Sequence, residues 1–163
     1  LMPLKELLSR RMAELGVDKL FYEIETPLLD VLSTMEAIGV LVDPDILLAI
    51  SKEIDIQMKG MEERIYTHAG RPFNINSPKQ LGEILFVDLN LPMVKKTKTG
   101  FSTDSAVLES LAPRHELPAI ILDWRMLTKL KNTYVDTLPT MIDPLTGRVH
   151  TRFNQAVTAT GRI

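Results

Sequence analysis

The sequence contains no cysteine, which excludes disulfides and thiolate metal sites. It has no apolar run near the ~20 residues that a membrane-spanning helix needs. Clusters such as Ile38-Gly39-Val40-Leu41-Val42 are far shorter. The opening residues Leu1-Met2-Pro3-Leu4-Lys5 have no signal-peptide layout. There is no internal repeat, no glycine-rich phosphate loop, no nucleophile elbow and no Cys-His arrangement. His68, His115 and His150 lie in three different segments, and none has a partner at metal-ligand spacing. They read as ordinary surface or structural histidines. An overall excess of positive charge is also missing. The net charge of −2 argues against a generally basic nucleic-acid binder.

The distribution of charge is more informative than its sum. Residues 1–90 carry nine Lys/Arg against fifteen Asp/Glu, whereas residues 91–163 carry ten against six. Such asymmetry fits a protein in which one surface meets a polyanion, although chance gives the same pattern. With 45% hydrophobic and 25% charged residues, the 163-residue chain has the composition of a globular domain and can bury a core without staples. The first residue is Leu, and Thr160-Gly161-Arg162-Ile163 closes without a polar tail. The chain is therefore expected to be a piece of a longer protein.

Apolar periodicity predicts mainly helix. A short helix is expected over 3–15 and a second over 20–38, started or kinked by Pro27. Asp43-Pro44 then supplies an N-cap and a first-turn proline. Leu47, Ile50, Ile54, Met58, Met61 and Ile65 continue as one stripe to Gly70, a helix roughly 40 Å long. Ser77-Pro78-Lys79-Gln80 has the form of a capping box and opens a short helix. A lysine-bearing loop covers 91–101, and Ser102-Thr103-Asp104 caps another short helix. A second long helix is expected over 117–138, with Ile120, Trp124, Leu127, Leu130, Tyr134 and Leu138 as its stripe. Residues 148–160 read as strand or hairpin. The predicted fold is mainly α: two long antiparallel helices, a small helical tip between them, and a short β segment after them.

Asp and Glu lie mainly on polar helix faces. Glu62-Glu63 and Asp43/Asp45 read as solvated faces or caps, not as a metal pair. Binding has more support than catalysis. The caps Asn74-Ile75-Asn76-Ser77 and Ser102-Thr103 would present free amides to phosphate. Lys95, Lys96 and Lys98 lie between them, and Arg125, Lys129 and Lys131 fall within two helical turns. Arg148, His150, Arg152 and Arg162 add positive charge near the end, where a rigid arginine could enter a minor groove. The bland readings are that the caps only cap and the lysines only solubilise a loop.

Specific runs then carry a resemblance. Phe73-Asn74-Ile75-Asn76-Ser77-Pro78-Lys79-Gln80-Leu81, the segment from Trp124 to Tyr134, the segment from Thr146 to Gln155 and Thr158-Ala159-Thr160-Gly161-Arg162 resemble segments of family A DNA polymerases. Met35-Glu36-Ala37-Ile38-Gly39-Val40 with Asp43 is similar to the helix-turn before that family's thumb. The match covers about residues 21–163 in order. It implies that residues 1–20 are the tail of a preceding exonuclease-like domain, 21–139 the thumb and 140–163 the start of the palm. It also implies that Asn74, Asn76, Ser77, Lys96, Ser102 and Thr103 contact phosphates. Arg125 and Lys129 would line the duplex, and Arg162 would probe the minor groove. The 95–101 loop is shorter than in some relatives. No catalytic residue and no metal ligand is expected in this chain, because the family's metal-binding carboxylates lie beyond Ile163. The chain alone is expected to be inactive. The parent would be a bacterial, cytoplasmic, magnesium-using DNA-directed DNA polymerase of replication and repair, and its partner would be double-stranded primer-template DNA. Self-association of the chain through an exposed apolar face is a further expectation. The alternative is a helical protein-interaction module with incidental basic residues.

Overall fold

Asp43 starts the longest element as expected. Its carboxylate accepts from the amides of Asp45 and Ile46 at 3.0 and 3.1 Å. Pro44, which has no amide to leave unpaired, follows in the first turn. A computed structural model of the chain describes residues 2–93, 96–97, 100–158 and 160–163, without the side chains of Met2, Lys96 and Thr97. The elements in order are α1 (Met2–Glu14), a π-helical turn (Leu20–Glu25), α2 (Thr26–Ile38) and β1 (Val40–Leu41). Next come α3 (Pro44–Ala69), α4 (Pro78–Glu83), a second π-turn (Ile84–Asp88), β2 (Lys96–Thr97), β3 (Gly100–Phe101) and α5 (Ser105–Leu111). The chain continues through α6 (Glu116–Leu130), a third π-turn (Lys131–Val135), a 3-10 turn (Leu138–Met141), β4 (Ile142–Asp143) and β5 (Arg148–Val149).

The chain forms two compact units, Asp43–Thr140 and the discontinuous pair Leu1–Val42 with Met141–Ile163. In the first, α3 and α6 run antiparallel. His68 near the end of α3 meets Glu116 at the start of α6 at 3.1 Å. At the opposite end, Lys131 after α6 meets Asp55 in α3 at 3.2 Å. Ile65 of α3 and Leu117, Ile120, Ile121 and Trp124 of α6 share one core with Leu81, Leu85, Leu108 and Leu111 from the short helices. The tip helices thus roof the long pair.

The long α6 stripe does not continue to Leu138 as expected. Leu130 and Tyr134 are 42% and 51% exposed, and Val135 takes the buried position instead. The cause is the π-turn at 131–135, where the Asp136 amide reaches back five residues to the Lys131 carbonyl at 2.9 Å. That widened turn brings Lys131 and Asp136 together over α3. Ser51, itself buried, donates to Asp136 at 2.7 Å, and the Lys131 ammonium meets Ser51 Oγ at 2.5 Å and Asp136 Oδ2 at 3.1 Å.

In the second unit, Pro27 cannot donate an amide, and the preceding residues form a π-turn instead of extending α2 back to Leu20. The Thr26 amide and hydroxyl both return to the Phe21 carbonyl. The expected strand over 148–160 shrinks to β5, which lies between β1 and β4. The antiparallel pairs are Val40 with Val149, Leu41 with Arg148, and Ile142 with Val149. Beyond it the chain bonds to side chains and helix ends. His150 Nδ1 donates to the Glu36 carbonyl at 2.8 Å, Glu36 accepts from the Phe153 amide at 2.6 Å, and Gln155 donates to Glu25. Gly39 is required here: its φ is +68°, and a Cβ would lie 2.8 Å from the His150 ring. Residues 21–42 therefore fold with 141–163 in one compact unit, and the other compact unit opens at Asp43. Leu32 is the one hydrophobic residue buried in this unit among the described residues. No helix among them is long and apolar enough to cross a membrane.

Two outcomes follow from this packing. Ile121 is fully buried, so Ile121→Ala leaves a cavity and lowers stability by about 2–5 kcal/mol in denaturant titration. The second concerns pH. The Ser51 hydroxyl, then the Lys131 ammonium, hold the Asp136 pKa below its ordinary 3.8. Its stabilisation is present above that pH and is lost as pH falls through the folded value. For Lys131, burial pulls the pKa down but the bonds to Asp136 and Asp55 outweigh it, leaving it above 10.5. That contribution is lost as pH rises through the folded value. The denaturant midpoint of Lys131→Met should therefore lie below the parent's near neutrality, with the gap closing at both pH extremes.

Candidate nucleic-acid interface

Phe73 and Ile75 are buried, whereas Asn74 and Asn76 between and after them are exposed. This alternation pins the segment to the core and turns both amides outward. Asn74 Oδ1 accepts from the Asn76 amide at 3.0 Å, an Asx turn that leads the chain into Ser77. Ser77 caps α4 by accepting from the Gln80 amide at 3.4 Å. The return half of the capping box is displaced: Gln80 Oε1 accepts from the Asn74 amide at 2.7 Å, not from that of Ser77.

The second segment is 100–104. Phe101 packs on the Phe86 ring at 5.0 Å between centroids. It also lies against Gly82, where a Cβ would come within 3.1 Å of its own Cβ. Glycine inside a short helix costs helical propensity, and close approach of Phe101 is the reason for it here. Asp104, not Ser102, is the N-cap of α5, accepting from the Val107 amide at 2.9 Å. Ser102 donates to Asp104 Oδ2 at 2.9 Å. Both Ser102 and Thr103 are buried, at 5% exposure. Arg125 reaches across from α6 and donates to the Thr103 carbonyl at 2.5 Å and toward Thr103 Oγ1 at 3.4 Å. Burial pulls the guanidinium's pKa down from its ordinary value, and an arginine remains protonated at neutral pH regardless.

The two segments and α6 enclose an open hollow of about 910 Å³, lined by Asn76, Lys79, Gly100, Ser102, Thr103 and Arg125. Glu83 and Asp104 also reach it, so among the described residues its formal charges balance. Net attraction for a polyanion must come from its surroundings. Lys129, four residues from Arg125 on α6, is exposed and carries no hydrogen bond or ion pair to another described residue.

Four of the predicted residues, Asn76, Ser102, Thr103 and Arg125, thus come together around one hollow. Asn74 and Ser77 flank it as turn and cap. The Lys96 backbone sits in β2, which pairs with β3 through Phe101. Its side chain, with Lys95 and Lys98, lies outside the described residues. Arg162 belongs to the other compact unit, where it is exposed. Sequence reasoning did not single out Lys79 or Phe101. The available signals were a lysine beside a capping serine and a glycine buried in a short helix. Among the described residues, no three His, Asp or Glu form a group able to hold a metal ion.

The model of DNA polymerase family A matches residues 44–163. DNA polymerase I of Geobacillus stearothermophilus is 52% identical over 146 residues, covering 90% of this chain and 17% of that protein. DNA polymerase I of Bacillus subtilis (strain 168) is 48% identical over 160 residues, covering 98% and 18%. The thermostable DNA polymerase I of Thermus thermophilus is 51% identical over 146 residues. The chain thus spans under a fifth of the length of these relatives. Among solved structures, the POL domain of Pol1 from M. smegmatis, in complex with DNA primer-template and dNTP, superposes with a TM-score of 0.86. It is 37% identical and covers 99% of this chain, which covers 28% of it. These relatives lend no support to a protein-interaction module.

Ser77→Ala removes the α4 cap, and a lost cap typically costs about 1 kcal/mol. Denaturant titration should report a loss of that size.

Proposed function

Because this chain belongs to DNA polymerase family A, we propose that it is the duplex-gripping part of a DNA-directed DNA polymerase acting in replication and repair. The supporting observation is the likeness to a polymerase domain that holds primer-template DNA and matches nearly the whole chain. We assign residues 21–139 as the thumb, a reading supported for its larger part by the separate compact core of residues 43–140. Residues 140–163 are the beginning of the palm, and residues 1–20 are the tail of an exonuclease-like domain.

In this reading the tip of the thumb tracks the sugar-phosphate backbone without reading sequence. Asn74, Asn76, Ser77, Ser102 and Thr103 belong to segments that approach phosphates, and Lys96 and Lys129 supply charge. Arg125 lies on the same surface, and Arg162 probes the minor groove. Magnesium is the cofactor of the whole polymerase. In this reading the chain's part is binding and positioning, and the chain alone does not extend a primer. Its setting is the bacterial cytoplasm. The exposed Leu4, Leu7, Leu8, Phe21 and Tyr22 support self-association of the isolated chain.

Fluorescence anisotropy of a labelled primer-template duplex across a salt series tests this reading. The chain binds at low salt, and affinity falls steeply as salt rises. Lys129→Ala lowers the slope of log affinity against log salt by about 0.9 in magnitude, as expected for one phosphate contact. Binding that ignores salt, or no binding at low salt, contradicts the grip. In the whole polymerase, Arg162→Ala slows primer extension; unchanged extension on matched and mismatched ends would remove the minor-groove role.

A further inference from the structure

Arg125 is placed unusually for a side chain on a binding surface. It lines the hollow, yet one edge of its guanidinium faces the protein, bonding twice to the single residue Thr103, 22 positions earlier in sequence. The 100–104 segment it touches needs holding. It begins at Gly100, whose φ of +142° is open mainly to glycine. It then buries two hydroxyl residues, which is costly unless their polar groups are bonded. At one end Phe101 is fixed by Phe86 and Gly82. At the other end Asp104 is fixed as the α5 cap. Between them, the Thr103 main chain is fixed by Arg125.

We infer that Arg125 is a positioning residue: it acts on DNA through Thr103, setting the 102–104 main chain for backbone contact, and does not itself neutralise a phosphate. This rests on the duplex-gripping reading above. The geometry favours it for two reasons. A planar fork can bond a carbonyl and a hydroxyl of one residue together, which a lysine ammonium, a single point charge, does far less well. The charge needed for attraction is also available one turn away, on the exposed Lys129.

Salt dependence separates positioning from direct contact. The whole chain is titrated into labelled primer-template duplex over a potassium chloride series, as wild type, Arg125→Met and Arg125→Lys. A positioning role predicts about tenfold weaker binding for Arg125→Met at every salt, with the log-log slope unchanged, and no recovery in Arg125→Lys. It also predicts faster amide hydrogen exchange at 102–104 in both variants without DNA. A slope reduced by about 0.9 in Arg125→Met, affinity restored by Arg125→Lys, or unchanged exchange at 102–104 overturns it. If Arg125→Met does not melt cooperatively, Arg125→Lys carries the comparison, because it keeps the charge and loses the fork. A wild-type chain that fails to bind defeats instead the reading beneath, and is told apart by the intact exchange pattern of the 102–104 segment.

Discussion

Two helices, α3 and α6, can lie side by side along their length only where both present apolar residues to a common interior. Ile65 on one and Leu117, Ile120, Ile121 and Trp124 on the other meet that condition near one end of the pair. Burial of their apolar area supplies the main driving force. It also fixes where everything else in the unit can sit. The short helices α4 and α5 have too few residues to be stable alone, and they exist because Leu81, Leu108 and Leu111 close the same core, with Leu85 of the following π-turn. The far end of the pair is held differently, by the polar junction of Ser51, Asp55, Lys131 and Asp136.

The candidate interface follows from that core. Alternation in Phe73-Asn74-Ile75-Asn76 buries the apolar residues and leaves the asparagines outside. Phe101 enters over Gly82 and brings Ser102 and Thr103 to α6, where Arg125 waits. None of these polar groups is a reactive centre. They are main-chain and side-chain donors held on a rigid frame, which suits recognition of a uniform backbone and not of a base sequence.

Much of this was legible in the sequence. Asp43-Pro44, Ser77-Pro78 and Gly70 mark helix ends by local chemistry, and local chemistry is what a sequence displays. The mainly α fold and the antiparallel pair follow from stripes at helical spacing. What was not legible depends on distant residues. The π-turn at 131–135 disrupts a regular stripe, and its partners Ser51 and Asp55 lie 80 and 76 positions away from Lys131. The strand expected over 148–160 has β-branched residues in plenty, but the Glu36 carboxylate takes the Phe153 amide that a ladder would use. Of the expected cap Ser102-Thr103-Asp104, it is Asp104 whose carboxylate reaches the Val107 amide, while Ser102 bonds to that same carboxylate. Arg125 read as one more cation on a helix face, and only the fold reveals Thr103 beneath it.

In the proposed reading the tip of the helical unit, around Asn76 and Thr103, meets duplex DNA. The most direct measurement is an amide NMR titration of the isotope-labelled chain with a short primer-template duplex. The account predicts shifts concentrated at residues 74–79 and 100–106 and along the Arg125 and Lys129 face of α6, with α1 unmoved. Shifts centred on α1 and the Phe21-Tyr22 surface, with the tip silent, would contradict it.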